Sequence, residues 1–91
     1  MYYIYIMSNG NDTTLYIGIT NNIERRVAEH RTADPYSFTS RYKCHKLVYI
    51  EAFSSRIEAI EREKQLKSWK RKKKDALIDS VNPRREDMMP M

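Results

Sequence analysis

Tyr2-Tyr3-Ile4-Tyr5-Ile6-Met7 and Thr14-Leu15-Tyr16-Ile17-Gly18-Ile19-Thr20 are short runs rich in Tyr, Ile and Thr, residues that suit a pleated surface. Between them Ser8-Asn9-Gly10-Asn11-Asp12 is dense in turn formers, so the stretch predicts an antiparallel hairpin. A turn centred on Gly10 and Asn11 sets Tyr5 opposite Tyr16, with both phenols on one face. Gly18 interrupts the second strand, where a missing side chain lets another backbone or a ligand come close.

A helical stretch follows from near Asn21. In Asn22-Ile23-Glu24-Arg25-Arg26-Val27-Ala28-Glu29-His30, Ile23 and Val27 form an apolar stripe, and Arg26 and His30 fall beside it at three and seven residues from Ile23. Both basic groups therefore lean towards the sheet. An Arg leaning inward needs an anionic partner or an open cleft, because a buried unpaired charge is too costly to keep. The plainer alternative is an Arg snorkelling at the helix edge beside a satisfied His.

Composition bounds the problem. Ninety-one residues make one small domain with a limited core, and the hydrophobic fraction of 41% with ten aromatics supports a globular fold. No apolar run approaches the ~20 residues of a membrane span, and the opening residues lack the charged start of a signal peptide, so a cytoplasmic chain without membrane contact is expected. The single cysteine, Cys44, excludes an internal disulfide and a multi-cysteine zinc site; Cys44-His45 reads as an incidental loop thiol rather than a metal pair. Residues 1–24 carry a formal charge of −2 and the remainder +7. That imbalance favours a polyanionic partner without choosing between DNA and RNA.

Past the first helix, residues 31–46 read as a long loop with Asp34-Pro35 as its turn signal. Tyr36, Phe38, Arg41, Tyr42 and Lys43 interleave aromatic and basic groups, which suits either base stacking with phosphate pairing or a loop pinned by its aromatics. Leu47 to Phe53 predicts a third strand, central because it is apolar on both faces except at Glu51. Ser54 or Ser55 then caps a second helix. On it Ala59, Ile60 and Leu66 lie four and three residues before and three after Glu63, so that carboxylate faces the body of the protein, while Glu58, Glu61 and Arg62 read as a solvated face. Pairing with a Lys or Arg is the structural alternative for Glu63. Ser68-Trp69 breaks the pattern, and a third helix runs to about Ser80. Its five cations from Lys70 to Lys74, including Lys72 and Lys73, suit either a backbone grip or a solvated face. Asn82-Pro83 ends it, and residues 84–91 are expected to form a flexible tail after a domain spanning 1–83.

These residues resemble the GIY-YIG nucleases. The match lies in Tyr3-Ile4-Tyr5, Tyr16-Ile17-Gly18, Arg26 and His30, and extends through Leu47-Val48-Tyr49-Ile50-Glu51 and Arg62-Glu63-Lys64-Gln65-Leu66-Lys67 to Asn82-Pro83, about residues 2–83. It is nearest to the small single-domain subgroup. Tyr3 departs from the leading Gly of the first motif, a position that varies in such small members. Arg85 stands where they usually carry an aromatic.

The resemblance implies an α/β fold, a three-stranded antiparallel sheet flanked by about three helices, with the site on the sheet between the first and second helices. It implies a divalent-metal-dependent endonuclease, with DNA as the expected substrate and repair or DNA processing as the expected setting. Glu63 would bind Mg2+ or Mn2+, and Arg26 would hold the scissile phosphate. Tyr5 would act as general base, its pKa lowered by nearby cations; Tyr16 would position the water and His30 orient Tyr or phosphate. Asn82 would correspond to the family's active-site Asn. Arg41, Lys43, Lys70, Lys72 and Lys73 remain candidates for contact with nucleic acid, and a protein partner would supply specificity. A non-catalytic nucleic-acid-binding module on the same scaffold stays open, favoured by Tyr3 and Arg85; a pure protein-interaction domain leaves Arg26 and Glu63 without purpose.

Overall fold

In the computed structural model, which describes residues 1–32 and 44–89, the hairpin forms from β1 (Tyr2–Ser8) and β2 (Leu15–Thr20). Helix α1 (Ile23–Arg31), strand β3 (Lys46–Phe53), helix α2 (Arg56–Ser68) and helix α3 (Arg71–Val81) follow. The sheet is antiparallel throughout, and the expected α/β fold is the observed one.

Two expectations about the sheet are corrected. The strand order is β2-β1-β3, so β1 and not β3 is central. Tyr2–Ser8 is itself buried from Ile4 onward, and its alternating side chains serve both faces. The hairpin register also differs: Tyr5 pairs with Gly18 and Met7 with Tyr16. The turn closes through Asp12 N–H to Asn9 O (3.1 Å) and Asn9 N–H to Thr14 O (3.3 Å), and the residue in the left-handed region is Asp12 (φ 58°), not Gly10. Asx chemistry sets the turn further along: Asn9 Oδ1 accepts from Thr14 N–H at 3.0 Å.

Each face of the sheet has its own core. Ile4, Ile6, Ile17, Val48 and Tyr49 pack with Ala59 and Leu66 of α2 and Ile78 of α3. Tyr5, Met7 and Leu47 pack with Val27 of α1 and with Cys44, which is fully buried rather than an incidental loop thiol. Helices α1 and α2 therefore lie on opposite faces of β1, and a bulge at Val48 lets the consecutive Val48 and Tyr49 both enter the α2-side core while Leu47 enters the other.

Beyond Pro83, where a flexible tail is expected, the chain is tied back as far as Met89. Asp87 accepts hydrogen bonds from Arg31 Nη2 (2.6 Å) and Leu47 N–H (3.1 Å), Met88 N–H reaches Leu47 O (2.7 Å), and Met89 packs on the α1-side core. Among the described residues no helix is long and apolar enough to cross a membrane.

Candidate active site

Asn22 begins α1 by accepting the Arg25 N–H at 3.1 Å, and Val27 presses the helix onto the sheet. That places Arg26 and His30, one turn apart, over the middle of β1. The fully buried Tyr5 phenol joins them: Arg26 Nε donates to Tyr5 Oη at 3.0 Å, and Tyr5 Oη lies 2.8 Å from His30 Nε2. Tyr16, diagonal to Tyr5 on the same face, has its ring centroid 6.2 Å from Tyr5 and 5.0 Å from His30, edge-on to the imidazole. The phenols share a face as expected, but diagonally rather than opposed.

Gly18 is part of this cluster through what it lacks. A Cβ there would overlap the Tyr5 hydroxyl and ring, with Tyr5 Cε1 only 2.9 Å away. The glycine lets the phenol lie flat across the neighbouring strand and reach α1.

The electrostatics overturn one expectation. Burial pushes the Tyr5 phenol up to about 12, and the opposing hydrogen bond from Arg26 does not compensate. Desolvation outweighs the single cation because the ring is wholly enclosed, so Tyr5 is a neutral hydrogen-bonding post at neutral pH, not a base with a lowered pKa. His30 is driven down to about 4, first by burial and then by the Arg26 charge, and is a neutral imidazole. The Arg26 guanidinium is raised, chiefly by its hydrogen bond to Tyr5. Its side chain remains 37% exposed, with Nη1 3.4 Å from a Glu29 carboxylate oxygen. The guanidinium is thus fixed at Nε by Tyr5 and flanked at Nη1 by Glu29, with the side chain as a whole partly exposed.

Glu63 lies on the other side of the sheet. Its side chain is 18% exposed and paired with Lys67 one turn on, at 3.6 Å. Lys67 and Tyr16 line one hollow at the outer edge of β2, together with Leu15, Ile17 and Lys74. Tyr16 is therefore the link: it packs on His30 and also borders the hollow that Lys67, the partner of Glu63, helps to line. The candidate residues thus lie on both faces of the sheet, with Tyr16 at the β2 edge joining the two groups.

No group of three or more His, Cys, Asp or Glu side chains able to hold a metal converges among the described residues. One carboxylate, paired with Lys67, does not suit a closed zinc site. It does fit a hard cation that keeps most of its waters and takes further oxygens from a phosphate.

The other anticipated residues are dispersed. Arg41 and Lys43 lie outside the described residues. Lys70 and Lys72 are exposed at the start of α3, whereas Lys73 sits over the Trp69 ring at 4.2 Å. Asn82 is not brought to the Tyr5 cluster. Its Nδ2 donates to Val48 O (3.0 Å) and Glu86 O (2.8 Å), and its Oδ1 accepts from Glu86 N–H (3.1 Å), so the amide ties the end of α3 to β3 and the final turn.

A second polar network was missed. Tyr49 donates to the Glu51 carboxylate, which also accepts from Arg62 Nε at 2.8 Å; Arg62 in turn lies 5.2 Å from the Trp69 ring centroid. Burial and then the Glu51 hydrogen bond push Tyr49 up to about 12. Arg62 thus belongs to a half-buried brace between β3 and α2, not to a solvated face. Tyr49 and Glu51 two apart on one strand, with a lone carboxylate in an apolar run, were the signal available for it.

Comparison with known proteins identifies the family and agrees with the fold. The family model described as the GIY-YIG catalytic domain matches residues 1–75. A UPF0213 protein of Natronomonas pharaonis is 42% identical over 77 residues, covering 85% of this chain and 89% of its own, and one from Bacillus pumilus is 32% identical over 85 residues, covering 93% and 86%. The solution NMR structure of a UPF0213 protein from Bacillus halodurans superposes with a TM-score of 0.61 at 28% identity, covering 98% of this chain and 95% of that one.

Proposed function

Since the chain belongs to the GIY-YIG catalytic-domain family, a nuclease-type fold, we propose that it is a divalent-metal-dependent endonuclease hydrolysing phosphodiester bonds in nucleic acid, with DNA as its substrate. The observation that carries this is the Arg26–Tyr5–His30 chain, in which buried Tyr5, braced by His30, holds the guanidinium by its Nε while the side chain stays partly exposed and its Nη1 is paired with the surface carboxylate Glu29. A preorganised cation of this kind binds a phosphate through charge-assisted hydrogen bonds and needs no rearrangement when negative charge grows on the phosphoryl oxygens.

Each side chain then has a separate task. Arg26 clamps the phosphate, and Tyr5 fixes Arg26. His30 supports Tyr5 and packs against Tyr16. Tyr16, half-buried and lining the hollow, would touch the substrate and orient the attacking water. Glu63 would hold Mg2+ or Mn2+, with Lys67 as its counter-ion otherwise. When bound, the cation supplies a more acidic water and neutralises charge at the phosphate.

Labelled DNA and RNA substrates, single-stranded, nicked and branched, incubated with Mg2+ or Mn2+ test this directly. Cleavage that EDTA abolishes supports the proposal. Binding without cleavage of any substrate under either metal would instead identify a non-catalytic binding module.

A further inference from the structure

Helix α2 lies along the outer strand of the sheet. Arg56, Ile60, Glu63 and Lys67 are spaced four, three and four apart, so they share one helical face. At one end Arg56 and Ile60 border a hollow of about 360 Å³ with Tyr2, Ile19 and Thr20. At the other, Lys67 and Lys74 border the hollow of about 330 Å³ with Tyr16. The helix therefore runs antiparallel to β2, and Glu63 falls between two open depressions with a cationic group at each end. β2 is an edge strand, joined only to β1 among the described residues, so this seam faces outward along its length.

We infer that the α2–β2 seam is the track for one strand of the substrate, with Arg56 holding phosphates at one end, Lys67 and Lys74 at the other, and the strand passing over Glu63 beside Tyr16. Its polarity is complementary to a polyanion, with an excess of cations and a single carboxylate at its middle. Eleven residues of helix span ~16 Å, the axial length of about five nucleotides of one strand. The seam is distinct from the Lys70–Lys73 surface, where Lys73 is turned onto Trp69 and Arg71 is held by Asp75 and by the hairpin-turn carbonyl of Thr13. Lysines that merely guard an exposed strand edge against pairing would serve without any groove beside them.

The position of the broken bond rests on the nuclease proposal; binding in the seam does not. The test is fluorescence anisotropy of a labelled 12-nucleotide single-stranded oligodeoxynucleotide in EDTA, across a salt series, with cleavage assayed separately in Mg2+. Lys67→Gln/Lys74→Gln should weaken binding at least about tenfold and make the log–log salt slope shallower by about 1.4, the loss of two single-strand phosphate contacts. Arg56→Gln at the opposite end should remove about half that slope. Arg84→Gln, the same charge change at an exposed position after α3, beside the β3 edge of the sheet, should leave both intact. A Lys67→Gln/Lys74→Gln protein that matches Arg84→Gln in affinity and slope overturns the seam, even where wild-type cleavage upholds the nuclease proposal. A reduced slope in a protein that never cleaves upholds the seam and refutes the nuclease.

Discussion

The Tyr5 ring occupies the space that a side chain on Gly18 would need, across the central and outer strands of the sheet. Even one methyl at Gly18 must displace a wholly buried phenol that cannot move without releasing Arg26 and His30. Gly18→Ala should therefore cost about 1–3 kcal/mol, the usual range for overpacking, and lower cleavage along with stability. In a Tyr5→Ala background the added methyl has room. A double-mutant cycle by denaturant unfolding should then show coupling above ~1 kcal/mol, and additive effects would refute the steric account.

His30 makes stability sensitive to mild acid. Its folded pKa of about 4 lies below the ~6.5 of an unfolded His, so between these values the unfolded chain binds more protons and stability rises with pH. The contribution is complete above about pH 6.5 and is lost as pH falls towards 4, by up to about 3 kcal/mol. Urea unfolding from pH 7.5 to 4.5 should show this loss, and His30→Gln should remove most of the slope in that window. An equal slope in the variant would place the titration elsewhere.

Arg26 is held at Nε by Tyr5, and the proposed phosphate clamp would use its Nη groups, a division that lysine cannot reproduce. Arg26→Ala should lower the cleavage rate by about a hundred- to a thousandfold. Arg26→Lys should restore charge but recover little activity. Near-wild-type cleavage by Arg26→Lys would show that simple charge suffices.

Asn82 separates resemblance from geometry. Its side chain makes three hydrogen bonds to backbone groups of Val48 and Glu86, so Asn82→Ala should destabilise by about 1–3 kcal/mol, or several degrees in Tm, without altering nucleic-acid affinity at a temperature where the protein is folded. Unchanged Tm with weakened binding would reverse that assignment.

What could be read in advance follows from how local each cause is. Alternating Tyr and Ile with an Asx-rich turn announce a hairpin, and the spacing of Ile23, Arg26, Val27 and His30 turns two basic groups inward, because both effects act within one element. The register depended on which of Gly10 and Asp12 took the left-handed position, and two residues of slip replaced Tyr16 by Gly18 opposite Tyr5. Placing β1 at the centre required knowing that β3 pairs on its far side. The Tyr5 pKa failed for a related reason: a neighbouring cation is visible in sequence, but the extent of burial that outweighs it is a property of the assembled layers. Arg62 and Asn82 found their partners 11 and 34 residues away, beyond the reach of helical periodicity.

Glu63 provides the strongest test of whether the scaffold is an enzyme. Glu63→Gln keeps the size and most hydrogen-bonding capacity of the side chain while removing the charge that would retain a cation. Among the described residues its ionic partner is the half-exposed Lys67, and an i,i+4 helical pair of this kind contributes little, so Tm should stay close to wild type. Cleavage should fall by at least about a hundredfold. Binding of the oligodeoxynucleotide in EDTA should be retained or strengthened, because a carboxylate in the middle of the seam repels phosphate until a cation offsets it. Lys67→Gln, which frees the carboxylate from its ion pair, should tighten Mn2+ binding measured by electron paramagnetic resonance, whereas Glu63→Gln should abolish it. A Glu63→Gln protein that unfolds early yet still cleaves would mark the residue as structural, and the metal would then have to be held elsewhere.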